Sequence, residues 1–241
     1  MCGRFVSTTG SGDLAAHFGV ETIVGELRPS WNVAPTATVW VIRDSGESGD
    51  ARMLQPMRWG LVPSWADDPT IGNRMFNARV ETLAQRPAYR AAVRRRRCIV
   101  PADGFYEWTA VSGRHRKQGW FFQSVDGQPL AMAGLWETWQ PTGDADTLHT
   151  CTVVTTDAND VVAPIHDRMP LVLPDEVIDA WLDPTINDPD DVRSVIESAH
   201  SPTLSVHAVG VAVNNARNDG PDLIATVHPN SGGVDDNPRL L

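Results

Sequence analysis

The sequence predicts an α+β fold, a single domain built on a mostly antiparallel, barrel-like β-sheet with peripheral helices. Strand-like segments follow one another in series with only occasional helices between them, unlike the strict strand–helix alternation of a parallel sheet. The chain carries 19 glycines and 18 prolines, enough punctuation for many turns. No low-complexity linker interrupts its 241 residues, so the 41% that are hydrophobic can serve one core.

An acidic start and a following Gly19 mark residues 13–18 as a short helix. Residues 38–43 and 52–59 read as strands flanking a polar, glycine-containing hairpin loop at 44–50. Residues 87–97 read as a helix with Pro87 in its first turn, feeding a strand at 98–101. Further strands fall at 104–109, 120–124, 130–137 and 149–156. Helices at 175–182 and 188–199 carry acids in their first turns, and a last strand lies at 204–213. A catalytic domain at 2–224 then gives way to a tail at 225–241, expected to be loosely ordered.

A formal net charge of -10 argues against general nucleic-acid coating. It leaves room for a local basic groove, because acids cluster at 183–191 while many arginines fall between 74 and 116. An apolar leader and a run of about 20 apolar residues are both missing, so a cytoplasmic protein without membrane contact is expected. The three cysteines, Cys2, Cys98 and Cys151, have no metal-ligand spacing, which predicts neither a metal site nor a disulfide. Cys98 and Cys151 sit in apolar runs and are expected to be buried and inert. No cofactor is indicated, and a monomer is expected.

Cys2 stands directly behind Met1, and its small side chain favours removal of that methionine, so the mature chain is expected to begin at Cys2. One residue then offers two nucleophiles, an amine of ordinary pKa about 7.7–8.0 and a thiol of about 8.5, each with a reactive fraction at neutral pH. A 1,2-aminothiol captures an aldehyde as an imine and closes on it through sulfur as a thiazolidine. Lys117 is the one lysine, against 19 arginines, and reads as part of an exposed hairpin tip. A lysine Schiff-base mechanism therefore has little to work with.

Several short segments are dense in special residues: Met1-Cys2-Gly3-Arg4-Phe5, the Trp-Gly-Leu-Val-Pro-Ser-Trp loop at 59–65, Asn77-Ala78-Arg79-Val80-Glu81-Thr82, residues 97–108 ending in Gly104-Phe105-Tyr106-Glu107-Trp108, Ala133-Gly134-Leu135-Trp136-Glu137, and Ile165-His166-Asp167-Arg168-Met169-Pro170. Together, and in this order, they resemble the SRAP family of SOS-response-associated peptidases or abasic-site-processing proteins. The resemblance implies a DNA-damage protein that binds single-stranded DNA containing an abasic site and links covalently to it through Cys2, protecting the lesion. Autopeptidase and AP-lyase activities are further implications, as is association with the nucleoid when on DNA. By motif position Cys2 is the nucleophile, Asn77 an orienting amide, Glu107 a catalytic carboxylate and His166 a catalytic imidazole. The implied DNA-contacting set is Arg4, Asn32, Pro35, Trp65, Arg79, Arg86, Trp108 and Arg168.

Residue chemistry agrees with these roles. Opening a sugar hemiacetal and dehydrating a carbinolamine both need proton transfers, which His166 suits by its pKa. Glu107, among aromatic neighbours, either shuttles protons with a raised pKa or holds the α-ammonium of Cys2. The arginines suit phosphates, and Trp65 and Trp108 suit stacking on bases. Two alternatives compete. An N-terminal-nucleophile glutaminase would also begin Met-Cys-Gly, but lacks here its Asn-Gly-Glu type loop and Gly-Asp pair and leaves Asn77, Glu107 and His166 without roles. A non-catalytic single-stranded-DNA module would use the arginines and tryptophans and leave Cys2 idle.

Overall fold

The computed structural model describes residues 2–45, 51–111, 116–141, 146–199 and 202–228. In chain order its elements are β1 (Phe5–Ser7), α1 (Ser11–Phe18), β2 (Val20–Ile23), β3 (Ser30–Val33), β4 (Thr38–Asp44), β5 (Arg52–Trp59) and β6 (Asn77–Arg79). Next come α2 (Ala92–Arg95), β7 (Arg97–Ala102), β8 (Gly104–Thr109), β9 (Gln118–Ser124), β10 (Leu130–Trp139) and β11 (Leu148–Asp157). The chain continues through β12 (Arg168–Pro170), β13 (Val172–Leu173), α3 (Asp175–Leu182), α4 (Pro189–Ser198) and β14 (Leu204–Val209).

Strands β4, β5, β11, β10 and β7 pair in a ring, with β7 returning to β4, and so close a five-stranded barrel. Only the β5–β11 contact in that ring is parallel. A second, antiparallel sheet runs β14-β9-β8-β1-β3. Closure removes exposed edges, and both faces of the barrel wall are covered. Along β4, Val39 and Val41 enter the core shared with Cys2, Phe5 and Phe105, while Trp40 and Ile42 enter the core beneath α1, α3 and α4. Along β7 the same division separates Cys98 and Val100 from Ile99. Successive side chains of a strand point to opposite faces, so a wall buried on both sides needs continuous apolar runs. That is why these strands read clearly in the sequence.

Two glycines are set by close approach. Gly60 has φ 139°, and a Cβ there would press against the carbonyl oxygen of Gly72 at 2.5 Å, which lets the Trp59–Trp65 loop pass close to the neighbouring turn. At Gly104 a Cβ would collide with the Phe121 ring and the Phe122 carbonyl oxygen. Overpacking costs typically about 1–3 kcal/mol, so Gly104→Ala is expected to lower Tm by roughly 3–10 °C in a thermal melt. An unchanged Tm would show that β8 and β9 part without cost.

Three expected elements differ. The helix expected at 87–97 contracts to Ala92–Arg95, preceded by turns closed by Tyr89 N–H and Arg90 N–H on the Arg86 carbonyl. Arg97 explains the early stop: it starts β7, and its buried guanidinium donates to the carbonyls of Trp181, Val93 and Asp183. The last strand ends at Val209, and Val211–Asn214 form a 3₁₀ turn that buries Val213 against the second sheet. The first helix begins at Ser11, two residues before Asp13. Of the tail, Thr226 bridges Val209 and Val227 N–H donates to Ala208, while residues 229–241 lie outside the described residues. So do residues 46–50 of the expected hairpin loop and 112–115 of the Lys117 segment.

Candidate active site

Cys2 lies just ahead of β1, and β1 sits between β3 and β8, pairing Phe5 with both Val33 and Phe105. Tyr106 N–H donates to the Arg4 carbonyl at 3.0 Å and extends that pairing toward Cys2. The next residue of β8 is Glu107. Asn77 approaches from β6, which runs parallel to β11 with Asn77 opposite Val153. Its Nδ2 donates to the Cys2 carbonyl at 2.6 Å. Its Oδ1 is buried with no hydrogen-bond partner, an acceptor that costs free energy until a donor arrives.

His166 comes from the loop between β11 and β12. Asn159 builds that loop by accepting from the N–H groups of Val161 and Val162, both at 3.1 Å. His166 N–H donates to Val162 O, and Ala158 N–H donates to Asp167 O. The loop is fastened from below by Arg168, whose guanidinium binds Glu81, Asp157 and the Thr155 carbonyl. The Arg168 side chain holds Glu81 well below the usual carboxylate range. Arg168 N–H donates to His166 Nδ1 at 2.9 Å, a contact that favours the neutral ring with its proton on Nε2, while Asp167 Oδ1 lies 3.0 Å from the same nitrogen and favours a proton on it.

Burial dominates the electrostatics. Glu107 is 3% exposed and its pKa is pushed up to about 7 by desolvation, with Asp167 adding to the rise while the amino terminus and Lys117 oppose it. The Cys2 thiol is buried and pushed far above its ordinary value, first by desolvation and then by Glu107. This corrects the expectation of a thiolate fraction at neutral pH: the thiol holds its proton, and a base must take it. His166 is lowered below 6.5 by burial and by the charge of the amino terminus, so the imidazole is neutral at pH 7. Cys98 and Cys151 are also buried and unbridged, with thiols raised by desolvation.

A groove of about 370 Å³ is lined by Arg4, Trp108, Arg116, Lys117 and Asn214, with Arg4 two residues along the chain from Cys2 and Trp108 next to Glu107. Arg4 lies over the Trp108 ring at 5.6 Å and donates to Asn32 Oδ1 at 2.7 Å and Val213 O at 3.0 Å. Asn214 Oδ1 accepts from Trp108 Nε1 at 2.6 Å, while its Nδ2 holds the Lys117 carbonyl, so one side chain fixes both the indole and the hairpin. Arg79, at the end of the strand that carries Asn77, and Arg86 are exposed, and Trp65 is 60% exposed on a loop tied down by Trp139 Nε1 and Ala66 O. Pro35 is half-buried and precedes Thr36, whose φ of 76° is rare for a β-branched residue.

Two members of the implied DNA-contacting set are engaged within the protein. Asn32 is buried, with Oδ1 accepting from Arg4 and Nδ2 donating to the carbonyls of Asn215 and Asn218, so it positions Arg4. Arg168 is buried in its ion pairs and serves the His166 loop. Asn214, Arg116 and Lys117 were not singled out for the site by sequence. Asn214 had no local signal, because its partners lie about a hundred positions away. Among the described residues no group of three or more His, Cys, Asp or Glu could hold a metal ion, and no helix is long and apolar enough to cross a membrane.

The chain is similar over 93% of its length to the abasic site processing protein YoqW of Bacillus subtilis, at 38% identity over 226 residues and 99% of that protein. It is 31% identical over 229 residues to the abasic site processing protein HMCES of Xenopus tropicalis, covering 84% of this chain and 67% of that one. A crystal structure of a Bacteroides thetaiotaomicron protein superposes with a TM-score of 0.80 at 22% identity, over 94% of this chain and all of that one, and shares the fold. The family model described as SOS response associated peptidase (SRAP) matches residues 1–216, so the chain belongs to the SRAP family.

Proposed function

We propose that this protein processes abasic sites in single-stranded DNA by forming a covalent thiazolidine adduct through Cys2 after Met1 is removed. One observation carries the reading: Asn77 grips the Cys2 carbonyl beside a carboxylate that titrates near neutrality, while its own buried Oδ1 awaits a donor such as a sugar hydroxyl. The names of the YoqW and HMCES relatives support the substrate.

The chemistry runs as one condensation followed by one addition and balances without redox change. The Cys2 α-amine attacks the C1′ aldehyde of the ring-opened sugar, and the carbinolamine loses one water to give an imine. The thiol then adds to C1′; its proton passes to Glu107 and on to the nitrogen as the ring closes. The raised thiol pKa suits this order, because the amine leads and the sulfur waits for an acceptor. His166 assists ring opening and dehydration as acid and base. The amino terminus acts on Glu107, which supports the same carboxylate as the proton carrier of a hydrolytic autopeptidase step that removes Met1 and consumes one water. Strand cleavage by an imine, an AP-lyase step, branches from the same intermediate.

DNA follows two arms from the lesion. One passes Arg79 and Arg86 beside Asn77, and the other enters the groove of Arg4, Trp108, Arg116 and Lys117, where a base stacks on the indole and phosphates meet the cations. The basic groove offsets the net charge of -10 locally. The chain is expected to act as a monomer, without metal or cofactor.

The test is direct. Mature protein is incubated with an oligonucleotide carrying one abasic site and, in parallel, with one carrying a tetrahydrofuran analogue that has no aldehyde. A heat-stable adduct with the first and none with the second is expected. Equal binding with no stable adduct on either would favour the non-catalytic DNA module and sink the proposal.

A further inference from the structure

His166 Nδ1 is contested. The Arg168 N–H, at 2.9 Å, requires a lone pair there, whereas Asp167 Oδ1 at 3.0 Å and the Arg168 carbonyl at 3.2 Å can bond only a proton there. The two demands select different rings. With the lone pair turned to Arg168, the proton sits on Nε2 and the ring is an acid at that atom. With a proton on Nδ1, Nε2 is a base, or, once it too is protonated, the ring is an imidazolium paired with a carboxylate.

The partners also differ in freedom. The Arg168 backbone is held in strand pairing opposite Asp157, and its guanidinium is bound by Glu81, Asp157 and Thr155, so its N–H is the less mobile of the two partners. Asp167 has an 87% exposed side chain and no such anchor among the described contacts. It is the member of the pair able to swing in when Nδ1 gains a proton.

Resting on the proposed chemistry, we infer that Asp167 is a positioning residue that lets His166 alternate between acid and base during a turnover. In the forward direction Nε2 takes the proton of the C1′ hydroxyl while Nδ1–H turns to Asp167, and the same proton is then returned from Nε2 to the departing ring oxygen. The proton count closes and nothing is oxidised or reduced. Without Asp167 a base form of the ring would have only the Arg168 carbonyl to accept from Nδ1–H, against the Arg168 N–H that favours the lone pair there. Of the charged groups facing the ring, the amino terminus and Lys117 disfavour the imidazolium and Asp167 supports it, alongside the hydrogen bond to the Arg168 carbonyl. Asp167 acts on Glu107 in the same sense, which links the two proton carriers.

The test uses the full chain without DNA, so that its failure is separate from failure of the crosslinking chemistry. The nitrogen shifts and titration of His166 are followed by NMR in wild type, Asp167→Asn and Asp167→Glu. Asp167→Asn is expected to lower the His166 pKa by about 0.2–0.7 unit, a size scaled to an exposed ion pair, and to move the neutral ring further toward the Nε2–H tautomer. Asp167→Glu should restore both, and 1 M salt should reproduce part of the shift in wild type. On abasic DNA, Asp167→Asn should slow adduct formation several-fold with unchanged DNA affinity. A His166 pKa and tautomer identical in wild type and folded Asp167→Asn would overturn the assignment, as would an equal loss of rate and affinity.

Discussion

Cys2→Ala is expected to form no heat-stable adduct with abasic single-stranded DNA, while binding that DNA with near wild-type affinity. The variant retains an α-amine, so it still condenses with the aldehyde, but the product is an imine that water reverses. Borohydride should trap that imine in Cys2→Ala, which separates the two nucleophiles experimentally. The buried Sγ fills space in the core shared with Phe5 and Phe105 and makes one long contact of 3.9 Å to the Arg4 carbonyl, and alanine leaves only a small void there. An uncleavable extension ahead of Cys2 should have the complementary effect. It keeps the thiol, removes the free amine and leaves DNA affinity in place. A stable, unreduced adduct from either protein at wild-type yield would end the aminothiol mechanism.

Glu107→Gln is expected to slow adduct formation by about 10²–10⁴-fold, the range attributable to one positioned proton carrier. Glutamine preserves shape but cannot take up the thiol proton and pass it on. The wild-type rate should change with pH around 7, where Glu107 titrates, and that inflection should vanish in the variant. Stability should move the other way. The folded pKa of Glu107 lies above its unfolded value of about 4.5, so the native state binds more protons than the unfolded chain between those values. Native stability from this residue is therefore full below about pH 4.5 and falls as pH rises through 7. Glu107→Gln, which never has to bury a charge, should melt higher than wild type at pH 8 and differ little at pH 4.5. A slower enzyme that is also more stable at high pH is the signature of a functional carboxylate kept buried at a cost. If the variant instead melts lower at both pH values with an unaltered rate, Glu107 is structural.

Much of the architecture was readable because the barrel wall is buried on both faces. Strands β4, β5, β7, β8 and β10 appear in the sequence as apolar runs bounded by turn residues, and β8 falls at the expected 104–109. The helix at 87–97 failed for a tertiary reason. An arginine-rich segment looks like a solvated helix end, yet Arg97 turns inward to bind carbonyls at the ends of α2 and α3. The stop of β14 at Val209 has a similar origin, since Val213 is withdrawn from the strand to pack on the second sheet.

For the site, the sequence by itself determined which groups are present: an aminothiol behind Met1, an amide at 77, a carboxylate at 107, an imidazole at 166 and a shortage of other amines. Residue types and their local motifs carry that information. Only the tertiary structure decided what state those groups are in. Burial raises the pKa of the Cys2 thiol and brings that of the Glu107 carboxyl up to about 7. Long-range contacts turn Asn32 and Arg168 into supports, bring Asn214 to Trp108 and set Asp167 against Arg168 for one nitrogen of His166. Desolvation and hydrogen-bond competition depend on what surrounds a side chain, and for these residues the surroundings come from strands about a hundred positions away.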